Sequence, residues 1–175
     1  MAIKRTNRRV AAARIAATAR QLLDASTLCT IATVTSGGRA HINTAYFAWS
    51  HDFEIVWLSD PGATHSRNLR ANNSAAIAVY DSRQTWGKPD RGIQLFGSVR
   101  EAGGEIAGEA QTLYAKRFPA FADANLSAYR FYRFQPRRLK LFDERAIGPG
   151  TFVTARVEPN RRLAWQRTEI YRSGE

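Results

Sequence analysis

The chain predicts a mainly β fold: an antiparallel barrel, closed or nearly so, with helices at its ends. Three observations carry this. At least six short strand-like runs recur along 175 residues, brief links with turn chemistry join them, and two or three helical stretches interrupt them. A parallel nucleotide-binding sheet is disfavoured, because no Gly-x-Gly-x-x-Gly follows the first strand and no Gly-x-x-x-x-Gly-Lys occurs.

Each element has its own local reason. Arg8 to Asp24 reads as a helix, since alanines and long side chains dominate and Val10, Ile15, Leu22 and Leu23 share part of one stripe beside an arginine-rich face. Leu28 to Thr35, rich in Thr, Ile and Val, is strand-like, and Ser36-Gly37-Gly38-Arg39 turns it into a second strand, Ala40 to Trp49. Ser50-His51-Asp52 turns again into Phe53 to Ser59. A short helix, Ala63 to Asn72, precedes a strand at Ala75 to Asp81, and Gly87 and Pro89 make Ser82 to Asp90 a loop. Arg91 to Ala102 alternates, with Ile93, Leu95, Gly97 and Val99 on one face and Gln94, Phe96, Ser98 and Arg100 on the other. Ile106 to Phe118 is a further helix. Tyr129 to Phe134, Leu139 to Asp143 and Thr151 to Val157 complete the strands. The expected organisation is a basic N-terminal arm and helix start at 1–20, the barrel domain at 21–157 and a C-terminal tail at 158–175.

Composition narrows the chemistry. No apolar run approaches the roughly 20 residues of a membrane span, and the start of the chain lacks the apolar segment of a secretory signal, so no membrane association and a cytoplasmic location are expected. Cys29, the single cysteine, rules out an internal disulfide and a thiolate zinc site and reads as a small core residue. The net charge is +11. Residues 1–20 hold six Lys or Arg and no acid, and residues 155–175 hold five arginines against three glutamates. Because this charge sits on the two ends, which read as solvated arms or helix faces, nucleic acid is not expected as a partner, whereas anionic small molecules are.

Chemistry that needs a protein acid, base or metal is poorly represented. His41 at a strand start and His51 in a tight turn read as solvated side chains, neither has metal-ligand spacing, and the carboxylates are scattered. No metal site is expected. A bound cofactor removes the need for such residues, since the protein then supplies binding, orientation and electrostatics. The stretch from Ile55 to Leu69 suits this role. There an apolar strand breaks into a turn and a cationic helix start, so that Ser59, Thr64, His65, Ser66 and Arg67 present hydroxyls, positive charge and unpaired backbone N–H groups to an anion such as phosphate. An ordinary capped surface helix explains the same residues. Asn43 to Trp49 offers backbone groups and a flat apolar surface to a ring system, and simple barrel packing accounts for its aromatics equally.

The order of parts resembles a known family. The hairpin Leu28 to Trp49, the strand Ile55 to Ser59, the turn Asp60-Pro61-Gly62-Ala63-Thr64-His65-Ser66-Arg67-Asn68-Leu69-Arg70-Ala71-Asn72, the strand Ala75 to Tyr80, and Arg91-Gly92-Ile93-Gln94-Leu95-Phe96-Gly97-Ser98-Val99 are similar to the flavin-binding split-barrel family related to pyridoxamine 5'-phosphate oxidase, over residues 15 to 143. The resemblance implies a six-stranded antiparallel split β-barrel with flanking helices, a homodimer, and FMN at the subunit interface. By position, Asn43, Thr44, Ala45 and Tyr46 would line the isoalloxazine ring, and Leu58 with Ser59 would contact the ring and ribityl chain. Thr64 and His65 fall where the family commonly has an Arg-Lys pair on the phosphate, with Ser66 beside them, and Gln94 with Arg91 would reach the same cofactor.

The implied activity is an FMN-dependent oxidoreductase passing hydride between a reduced nicotinamide and a small acceptor that no motif identifies. One alternative keeps the fold and changes the cofactor, a reductase using the deazaflavin F420; another is a flavin- or ligand-binding redox sensor without turnover whose basic N-terminal helix contacts a partner or nucleic acid. Arg83, Trp86, Lys88 and Tyr114 are substrate-side candidates. Departures from the family matter too. Vitamin B6 oxidation requires an Arg-x-His element near the C-terminus and haem-degrading relatives use a C-terminal histidine, whereas this chain has no histidine after His65. Histidine in the place of lysine also implies FMN affinity that falls as pH rises above neutrality, because an imidazole beside a phosphate dianion binds best when protonated.

Overall fold

In a computed structural model of the protein, residues 2–123 and 126–172 are described. They form ten strands: β1 (Ala2–Thr6), β2 (Leu28–Val34), β3 (Ala40–Tyr46), β4 (Ala48–Trp49), β5 (Ile55–Ser59), β6 (Ser74–Tyr80), β7 (Arg91–Glu101), β8 (Arg130–Asp143), β9 (Thr151–Val157) and β10 (Leu163–Arg172). The helices are α1 (Ala12–Ala25), α2 (Thr64–Ala71), α3 (Gly104–Arg117) and the one-turn α4 (Glu144–Ile147), with a 3-10 helix at Pro119–Asp123. The fold is mainly antiparallel β with flanking helices, of the split-barrel class. Among the described residues no helix is long and apolar enough to cross a membrane. The chain divides into two compact units, Met1–Ser26 with Ala78–Leu95 and Arg137–Glu175, and Thr27–Ile77 with Phe96–Pro136.

In the first unit, α1 buries Ile15, Thr18, Ala19, Leu22 and Leu23, the stripe its periodicity predicts. β1 pairs antiparallel with β10, β10 with β9, and β9 with the second half of β8. Both terminal strands lie in segments expected as an arm and a tail; Met1 and the last three positions of those segments lie outside the described residues. β10 escapes a period-2 reading because a bulge between Trp165 and Arg167 shifts its register, so that its inward and outward positions change parity partway along. Asp143 caps α4, accepting from the N–H groups of Arg145 and Ala146 at 3.1 and 2.9 Å.

In the second unit, β2 pairs with β3 and β5 pairs with both β4 and the first half of β8. The run expected as one strand, Ala40 to Trp49, breaks at Phe47, a fully buried residue whose N–H donates to the Thr27 carbonyl at 3.2 Å. Ile31, Phe47, Ile55, Trp57 and Phe134 make the core, and Trp57 stacks on Tyr132 with ring centroids 5.7 Å apart. Glu54, 3% exposed, is held by the Arg133 guanidinium at 2.5 and 2.9 Å, so the charge buried before β5 is matched by one on β8. Where two strands were expected around Pro136, β8 runs unbroken. Gly97 on β7 explains how: a Cβ there would stand 2.0 Å from the Gln135 carbonyl oxygen, so only glycine lets the backbones pass this closely.

Candidate functional site

The second unit brings together most of the residues that the sequence singles out. β5 ends at Ser59, the turn Asp60 to Ala63 follows, and α2 begins at Thr64. The turn is tied by its own groups. Gly62 N–H donates to Asp60 Oδ1 at 2.6 Å, Arg70 donates to the Pro61 carbonyl at 2.9 Å, and Arg67 donates to the Gly62 carbonyl and, at 3.3 Å, to Thr64 Oγ1. The fully buried Ser66 hydroxyl donates to the Asp60 carbonyl at 2.8 Å, so its side chain is committed to the turn. No side chain caps α2 and no acid lies in its first turn, leaving the helix start positive.

His65 links the two elements. Its Nε2 lies 2.7 Å from Ser59 Oγ, and its ring stacks on that of His41 from β3, with centroids 6.4 Å apart and planes 26° from parallel. Burial, and secondarily the neighbouring imidazole of His41, push the His65 pKa below its usual value. Alone, the sequence suggests an imidazole that is partly charged at neutral pH; packing favours the neutral ring. One helical turn on, Asn68 Nδ2 donates to Thr33 Oγ1 at 3.0 Å, with both residues buried, which fixes α2 to β2.

Across from this corner, Asn43 and Ala45 share the half-buried side of β3 with His41, whereas Thr44 and Tyr46 lie on the exposed side with Ile42. Two buried polar atoms in this group, His41 Nδ1 and Asn43 Oδ1, have no hydrogen-bond partner. His41 is the residue that sequence reasoning missed. Its position two residues from Asn43, hence on the same strand face, was the available signal. Leu58 points to the other side of β5 from Ser59 and lines a cleft of about 410 Å³ with Ala102, Phe121, Arg130 and Phe131.

The remaining candidates divide. Arg91 and Gln94 lie on the part of β7 that belongs to the first unit, where Arg91 N–H donates to Gln84 Oε1 at 2.6 Å and Gln94 is exposed. In that unit Trp86 is 99% exposed and Arg83 pairs with Asp81 at 3.0 Å. Tyr114 is a core residue of the second unit, packed against Phe118, Phe121 and Phe131. Cys29 is buried, its thiol pushed up to about 12 by burial. Among the described residues no cluster of His, Cys, Asp or Glu suits a metal ion.

Comparison with known proteins fixes the class. A family model described as pyridoxamine 5'-phosphate oxidase matches residues 15–143, and the chain belongs to that family. Among curated proteins, none matches. Solved structures share the fold. A heme binding protein from Mycobacterium smegmatis is 19% identical over 85% of this chain, with a TM-score of 0.69, and this chain spans 59% of that protein's length. A protein from Clostridium acetobutylicum, related to general stress protein 26 of B. subtilis and assigned to the pyridoxinephosphate oxidase family, is 10% identical over 85% of this chain and 97% of its own, with a TM-score of 0.65. A FAD-binding protein from Mesorhizobium loti is 19% identical over 79% of this chain and 96% of its own, with a TM-score of 0.58. At these identities the likeness is one of fold.

Proposed function

We propose that the protein is an FMN-dependent oxidoreductase that acts as a homodimer, with the FMN phosphate at the junction of β5 and α2. The supporting observation is the polar inventory of that corner: an uncapped helix start without acids, the Ser59–His65–His41 cluster, and buried His41 Nδ1 and Asn43 Oδ1 without partners. A phosphate gains there from N–H groups, hydroxyls and an imidazole that its own charge would protonate. The donor set fits the group. Thr64, exposed, and Ser59 supply hydroxyls, His65 holds the proton at Nε2 or Nδ1 as the anion demands, Asn43 offers an amide to a ring edge, and Leu58 an apolar contact. When bound, the flavin supplies hydride transfer between a reduced nicotinamide and a small acceptor; the protein binds, orients and excludes water.

The second copy is supported by the opposite side of the hairpin. Leu28, Val34, Ile42 and Tyr46 are 48%, 38%, 66% and 57% exposed, and the register places Leu28 opposite Tyr46 and Val34 opposite Ala40, so all four share one uncharged face of the β2–β3 hairpin, whose second strand ends the sheet order.

The absorption spectrum of the purified protein and the mass of the cofactor released on denaturation separate FMN from F420. The double variant Thr64→Ala/His65→Ala is expected to weaken FMN at least about tenfold in a fluorescence titration, and Ile42→Lys to yield monomers in sedimentation with weakened FMN binding. Full affinity in the double variant would place the phosphate elsewhere.

A further inference from the structure

The protein's charge is divided very unevenly. The first unit carries 18 Lys and Arg against 8 Asp and Glu, a net +10, and the second unit carries the remaining +1. Taken as solvated arms, the basic ends offer no organised surface; paired as strands, they do. The register of β8, β9, β10 and β1 sorts their side chains onto two faces. On one face Leu139, Leu141, Val153, Ala155 and Thr168 are fully buried. On the other, five cations (Arg5, Arg138, Lys140, Arg156 and Arg167) surround the rings of Phe142, Phe152 and Tyr171.

The rings form a ladder across three strands. Phe142 and Phe152 are register partners with centroids 5.2 Å apart, and Phe152 and Tyr171 lie 4.7 Å apart. All three are half-buried. Lys140 Nζ lies 4.8 Å from the Phe152 centroid and 5.8 Å from that of Tyr171. Beneath Phe142, Gly92 clears space that a Cβ would invade, at 2.7 Å from the ring.

Arg138 and Arg156 are direct cross-strand partners, a like-charge pairing that costs free energy unless an anion joins it. Glu158 pairs with Arg156 at 2.6 Å, and Glu169 lies 3.1 Å from Lys140 and 3.3 Å from Arg167, so these acids are outnumbered by the cations on the face. Thr154, the register partner of both Lys140 and Arg167, is 2% exposed and its hydroxyl has no hydrogen-bond partner.

From these observations we infer that the outward face of β8, β9, β10 and β1 binds single-stranded nucleic acid. Cations spaced along a sheet track phosphates, and a row of half-exposed rings stacks on unpaired bases, which a duplex keeps inside. The inference is independent of the flavin reading, and far-UV circular dichroism with thermal unfolding checks that variants remain folded.

Fluorescence anisotropy with a labelled oligo-dT strand tests it, with the same-length duplex and heparin as competitors. The full-length protein is expected to bind the strand at low salt, more tightly than the duplex, with an affinity that falls steeply as salt rises. Arg138→Gln/Arg156→Gln is expected to weaken binding and flatten the log–log salt slope by about 1.4. Phe152→Leu is expected to weaken binding about tenfold with the slope unchanged. Arg39→Gln/Arg100→Gln, in the second unit, is the charge control and should leave binding intact. The inference is overturned by an absence of binding at low salt, by equal losses in the charge control, or by duplex and heparin competing as well as the strand while Phe152→Leu has no effect.

Discussion

At the scale of single residues, His65 concentrates the chemistry of the candidate site and also carries a stability consequence. Its pKa in the folded protein lies below the ordinary value, near 6.5 in an unfolded chain. Between those two values the unfolded chain holds a proton that the folded protein rejects. Stability is therefore full above the unfolded value and declines as pH falls toward the folded one, with a slope of at most about 1.4 kcal/mol per pH unit. Urea unfolding at a series of mildly acidic pH values should show this decline in the native sequence and lose its His65 share in His65→Gln; identical profiles would mean the ring titrates normally. In the proposed complex a phosphate beside the ring would favour its protonated form, so FMN affinity is expected to fall as pH rises. The sequence marks Ser59, Thr64 and His65, because a turn rich in hydroxyls and charge is visible in one dimension. It hides the stacking on His41 and the buried Asn68–Thr33 bond, since each joins elements distant along the chain.

For the elements, two glycines show that the same substitution takes its sign from its surroundings. Gly97→Ala would set a Cβ against the Gln135 carbonyl and force β7 from β8; a loss of about 1–3 kcal/mol is expected in denaturant unfolding. Gly108 lies exposed within α3 with no atom within 4 Å of a built Cβ, so Gly108→Ala should gain about 0.5–1 kcal/mol. Equal effects at both positions would contradict the close approach at Gly97. Legibility follows the same physics. β2 and β6 are plain because each keeps a strict two-residue alternation against one buried face, and β7 because Ile93, Leu95 and Val99 recur on its buried side. β8 was split in two by Pro136, a residue that usually ends a strand, and β10 was lost because its bulge scrambles the alternation. Strand propensity is thus readable where register is regular, and fails where a close contact or an extra residue decides the outcome.

On the scale of the whole molecule, the basic ends were evident from composition, but their pairing through β1 and β10 was not, because register between the two ends of a chain leaves no local trace. The same limit applies to Cys29. Its apolar neighbours mark it as core, yet only the fold shows a thiol 2% exposed and raised to about 12. At neutral pH burial keeps the sulfur as the unreactive thiol. The lone thiol therefore works as a built-in clock for opening of the fold. Iodoacetamide should modify the native protein only as fast as the chain transiently unfolds, and small additions of urea should accelerate the labelling in step with lost stability. A rate indifferent to urea would reveal a local breathing motion that admits the reagent while the rest of the fold stays shut.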